Sequence, residues 1–86
     1  MPILSVFYGI VIRMFWDDHS PPHFHAQYAE YEVIINIQTL ETMRGKMPKR
    51  ALSLLLEWAS EHRVELLEDW HLCEKKQPVK KIEPLK

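Results

Sequence analysis

The chain has 86 residues, 47% of them apolar and 27% charged, with a formal net charge of −1. That length holds one domain with a small core, no stretch reaches the roughly 20 apolar residues of a membrane helix, and the near-neutral charge gives no global attraction to nucleic acid. The single cysteine, Cys73, excludes an internal disulfide and a cysteine-based zinc site, and the expectation is a cytoplasmic protein with no signal peptide.

Residues 3–8 are rich in strand formers, Gly9 punctuates them, and residues 10–16 follow as a second strand. In that strand Ile10, Ile12, Met14 and Trp16 share one face, and Val11, Arg13 and Phe15 share the other. The loop Asp17-Asp18-His19-Ser20-Pro21-Pro22 comes next, its prolines unable to continue a ladder. From His23 to Tyr28 alternation resumes: Phe24, Ala26 and Tyr28 face one way, and His23, His25 and Gln27 the other. Ala29-Glu30 turns the chain into residues 31–37, whose apolar face is Tyr31, Val33, Ile35 and Ile37. A short fifth strand around residues 41–44 is weakly signalled. The short connections predict an antiparallel meander.

Pro48 is suited to open a helix, since its missing N–H has no partner in a first turn anyway. Leu52, Leu55, Leu56, Ala59, His62, Leu66, Leu67, Trp70 and Cys73 then recur at helical spacing, without Gly or Pro before Pro78. The prediction is therefore an α+β domain. A four- to five-stranded antiparallel meander (1–46) packs against one long C-terminal helix (48–75), and an extended basic tail (77–86) follows. A helix of that length runs about 42 Å at ~1.5 Å per residue, so it spans the domain, overhangs it, or bends near Ser60. Leu54 and Trp58 lie outside the main stripe, and this wider apolar arc suggests a partner interface there. His62 reads as a core histidine and Cys73 as a buried small hydrophobe.

Three histidines carry the chemistry. Residues two apart on a strand project from one face, so His23 and His25 can converge on one metal ion or one phosphate. With His19 and Asp17 they form a candidate ligand set for zinc or another divalent transition metal. Without metal, the same pair can act as general acid and base in RNA cleavage, with Arg13 holding the phosphate. Lys46, Lys49 and Arg50, at the helix start, form a candidate anion-binding cluster. No Gly-rich phosphate loop and no Ser-centred nucleophile motif occurs.

The segments Phe7-Tyr8-Gly9-Ile10, Asp17-Asp18-His19 and Pro21-Pro22-His23-Phe24-His25-Ala26, with Tyr28, resemble a bacterial family, the domain of unknown function 4160. Gly45-Lys46-Met47-Pro48, Leu56-Glu57-Trp58-Ala59, Glu65-Leu66-Leu67-Glu68-Asp69-Trp70 and Lys81-Ile82-Glu83-Pro84-Leu85 extend the resemblance over nearly the whole chain. It implies a toxin–antitoxin-type component that acts through a small protein partner of the domain of unknown function 2442 family. It implies no catalytic residues. Members often carry a glycine in the turn after the fourth strand, where this chain reads Gln38-Thr39-Leu40-Glu41. The readings that stand are thus a toxin–antitoxin-type component, a metal-independent ribonuclease or phosphodiesterase, and a histidine-based metal-binding module. RNA and a second copy of the chain are further candidate partners.

Overall fold

Two-residue periodicity over the first half and 3.6-residue periodicity over the second produce an antiparallel sheet followed by helix, as a computed structural model of the chain shows for residues 2–86. Five strands, β1 (Ile3–Phe7), β2 (Ile10–Arg13), β3 (His23–Tyr28), β4 (Tyr31–Asn36) and β5 (Thr42–Lys46), lie in sequence order in one sheet. Every neighbouring pair is antiparallel.

Local chemistry fixes the turns. Tyr8 and Gly9 both take positive φ, +49° and +80°, which suits a tight two-residue hairpin between right-twisted strands. After β4 the Asn36 side chain accepts the backbone N–H groups of Gln38 and Thr39, and Leu40 adopts φ +63°. The left-handed residue of this turn is therefore a leucine in the stretch where the resemblance leads one to look for glycine. At Gly45, φ is +82° and an added Cβ would lie 2.1 Å from the Glu32 carbonyl oxygen. Only glycine lets β5 approach β4 this closely beside the bulge that separates the pairs of Ile34 and Ile35.

One face of the sheet carries the core, where Ile10, Ile12, Phe24, Ala26, Val33 and Ile35 are buried. They meet the buried side of two helices, α1 (Lys49–Glu61) and α2 (Arg63–Glu74). The expected single helix 48–75 is thus corrected to two. The break falls at His62 (φ −121°, ψ 25°), whose N–H is shared between the carbonyls of Trp58 and Ala59 while its own carbonyl starts α2 through Leu66 N–H. The physical reason is size. The domain's longest extent is 34 Å, shorter than the roughly 42 Å of an unbroken helix. Bending lets Leu55 and Ala59 of α1 and Leu66, Trp70 and Cys73 of α2 all reach the core. Pro48 is the residue before α1 rather than its first.

α2 closes with Lys76 at φ +56°, Lys76 N–H on the Cys73 carbonyl and Gln77 N–H on the Leu72 carbonyl, a left-handed helix stop. The tail then runs back without regular structure. Ile82 is buried and donates its N–H to the Leu4 carbonyl, Lys80 N–H bonds Asp69 Oδ1, and the Glu83 carbonyl accepts Trp58 Nε1–H. This strap is why Trp58 is fully buried, and the expectation of a partner interface at Leu54 and Trp58 is corrected for Trp58. Its ring lies between Phe7 (5.1 Å) and Phe24 (6.1 Å). Leu54 is half-buried. Trp16 is exposed although Met14 is still buried: β2 ends at Arg13, and the alternation in burial stops after Phe15. No helix among the described residues is long and apolar enough to cross a membrane.

Candidate metal centre

The side of the sheet away from the helices is set by the register. Arg13 pairs with His25, His25 with Ile34, and Ile34 with Arg44, so these four form one row across β2 to β5. His25 thus stands on the open face, as its alternation with Phe24 and Ala26 requires. His23 is two residues earlier, where the strand enters the sheet. Its ring is buried against Trp70 of α2, with centroids 5.1 Å apart.

The loop between β2 and β3 closes over this end of the sheet and delivers Asp18. Its Oδ2 lies 2.9 Å from His25 Nε2 and 3.1 Å from His23 Nε2. The other two ring nitrogens differ. His23 Nδ1 is 2.8 Å from the Pro21 carbonyl, while His25 Nδ1 is buried without a hydrogen-bond partner, 3.5 Å from Glu32 Oε2. A carbonyl only accepts, so His23 Nδ1 carries the hydrogen of that bond. Phe15 stands edge-on to the His25 ring at 4.4 Å and excludes water from that side.

Asp18, His23 and His25 are the group among the described residues whose donor atoms all lie within 4.8 Å of one another. A zinc ion with bonds of about 2.0–2.1 Å sets its donors roughly 2.9–3.4 Å apart at ordinary coordination angles. The two nitrogen–oxygen separations, 3.1 and 2.9 Å, fall in that range. His23 has an acceptor, the Pro21 carbonyl, at its distal nitrogen, the arrangement that orients a metal-ligating imidazole, whereas His25 Nδ1 is buried without a hydrogen-bond partner.

Two residues of the expected ligand set lie elsewhere. His19 is exposed, and Asp17 is exposed with its Oδ1 3.9 Å from Lys76 Nζ. Their place is taken by Asp18, the neighbour whose side chain turns inward. Of the expected acid–base set, both imidazoles aim Nε2 at one carboxylate, and Arg13 donates to Gln27 Oε1 at 2.8 Å. The basic cluster divides: Lys46 is exposed on β5 opposite Glu32, while Lys49 and Arg50 are exposed in the first turn of α1. Glu32 went unnoticed in the sequence because it belongs to the site only through strand pairing.

Three other groups resolve simply. His62 lies tilted against Trp58 and pairs with Glu65; it is half-buried at the helix break rather than in the core. Cys73 is buried, and burial, with lesser contributions from Asp69 and Asp18, pushes its thiol up to about 11, so it is inert near neutral pH. Asp69 is buried in α2, with Oδ1 bonded to Lys80 N–H and Oδ2 without a partner. Burial holds its carboxyl above the usual aspartate range, against the opposing pull of the Lys80 N–H.

A family model described as "Domain of unknown function (DUF4160)" matches residues 9–71, a span that holds the whole Asp18, His23 and His25 cluster. No curated protein and no solved structure matches the chain.

Proposed function

From the premise that the chain belongs to the domain of unknown function 4160 family, we propose that it is a small metal-binding domain with Asp18, His23 and His25 as protein ligands. The observation that carries this is the orientation of His23. Its Nδ1 hydrogen is committed to Pro21 O, so in the neutral ring Nε2 is an acceptor facing the acceptor oxygen of Asp18 at 3.1 Å. His25 brings a second Nε2 to the same oxygen. One divalent cation among the three atoms relieves the His23 contact and takes the place of the His25 Nε2–Asp18 hydrogen bond.

Three protein donors are the count of a catalytic rather than a closed structural site, since they leave a position for water or a ligand. Asp18 also lines a mainly apolar hollow of about 430 Å³ with Pro2, Phe15 and Trp16, so a molecule seated there would be near the ligand set. Two imidazoles and a carboxylate suit zinc and other first-row divalent ions.

The metal-free acid–base reading is less favoured, because His23 has neither ring nitrogen free for a substrate. The toxin–antitoxin-type reading, with a small protein partner, rests on resemblance and loses Trp58 as its anchor. Titration of the imidazole NMR signals with zinc tests the metal reading. The signals of His23 and His25 should move together, ahead of His19, His62 and His71; equal response of all five histidines, or of none, would contradict it.

A further inference from the structure

We infer that the open sheet face around His25 is a binding site for phosphate esters, with Arg13 and Arg44 holding the phosphate oxygens. The inference deepens the metal reading, in which His25 is a ligand. The row Arg13, His25, Ile34, Arg44 crosses four adjacent strands by direct pairing. At about 4.8 Å per strand, one guanidinium-bearing residue sits one strand from His25 and the other two strands away on the opposite side.

The surface has matching relief. One hollow, of about 150 Å³, is lined by Arg13, His25, Gln27 and Glu32. A second, of about 400 Å³, is lined by His25, Glu32, Ile34 and Arg44. They share the wall made by His25 and Glu32, with one arginine in each. Neither arginine has a carboxylate within 4.0 Å among the described residues. Arg13 is held by a neutral partner, Gln27 Oε1, which fixes its position without cancelling its charge. Glu32, the acidic residue between the hollows, has its Oε2 3.5 Å from His25 Nδ1 and stands opposite Lys46 in the strand register.

Two uncancelled guanidinium groups on either side of a metal ligand favour an anion, and guanidinium matches the paired oxygens of phosphate. The organic part of the ester has a place as well. Phe15 lines both the Arg13 hollow and the hollow holding exposed Trp16, so a planar group attached to the phosphate meets an aromatic surface. Nucleotides combine both features, and they arrive either as a monoester or as a phosphodiester chain.

The test is direct binding of adenosine 5′-monophosphate and of a short single-stranded oligoribonucleotide to the full chain, with zinc present and in chelator. Inorganic phosphate serves as the reference anion. Arg13→Gln and Arg44→Gln should each weaken ester binding by roughly tenfold or more, with zinc affinity and thermal midpoint unchanged. Tighter binding of the oligonucleotide than of the monophosphate identifies a phosphodiester chain as the ligand; equal binding identifies the monoester. Binding of neither ester in either state, or binding that both arginine variants retain in full, overturns the inference and leaves the metal reading standing. If zinc fails to bind but the esters bind through both arginines, the metal reading falls and the anion site stands.

Discussion

His25 Nε2 lies 2.9 Å from Asp18 Oδ2, and the opposite nitrogen of the same ring lies 3.5 Å from Glu32 Oε2. The imidazole thus hydrogen-bonds the loop carboxylate and leaves Nδ1 buried without a partner, with the strand carboxylate its nearest acidic neighbour. If Asp18 is a metal ligand, Glu32 is the residue that orients the ring. Glu32→Gln should then weaken zinc binding by about 10- to 100-fold. Competition against a chromophoric chelator reads this; an unchanged affinity would remove Glu32 from the site.

The strap and α1 depend on each other through Trp58. Trp58→Ala removes the ring packed on Phe7 and Phe24 and leaves the Glu83 carbonyl without its donor. The expected cost is about 3–5 kcal/mol, a large share of the stability of a small domain. Trp70→Ala should cost a similar amount. Val64 is 71% exposed, so Val64→Ala should fall within about 0.5 kcal/mol of wild type. Urea midpoints separate these outcomes, and a Trp58→Ala midpoint close to that of Val64→Ala would contradict the described packing.

Asp69 gives the fold a definite pH dependence. Its carboxyl is raised in the folded state, above an ordinary value near 3.8, chiefly by burial. The fold therefore holds a proton that the unfolded chain has released. Stability from this group is present below the ordinary aspartate range and declines as pH rises to the raised value. Asp69→Asn keeps an acceptor for Lys80 N–H and removes the charge. The stability of the variant relative to wild type should increase with pH across that window and then level off. A difference independent of pH would show that Asp69 does not titrate in this way.

Much of the fold was legible in the sequence because burial imposes a period. Phe24, Ala26, Val33 and Ile35 alternate and are all in the core, and β3 occupies the residues alternation assigns to it. The break was legible only as one of three outcomes for an overlong helix, near Ser60, because no Gly or Pro marks it; its place at His62 follows from the 34 Å extent of the domain. Trp58 was misplaced because its cover is a strap 25 residues away, which helical spacing does not encode. At the site, His23 and His25 were legible as a strand pair. Asp18 could not be chosen over Asp17, because a loop has no period to say which side chain turns inward. Glu32 required the register, in which it is a diagonal neighbour of His25.

The central claim is a metal site made by Asp18, His23 and His25, and calorimetric titration of zinc into the purified chain tests it most directly. Wild type should bind one zinc per chain. Asp18→Asn and His25→Ala should lose more than the roughly 100-fold a supporting residue can account for. His19→Ala and Asp17→Asn should bind as wild type does. Absence of zinc binding by wild type, or an Asp18→Asn isotherm that overlays it, would contradict the account.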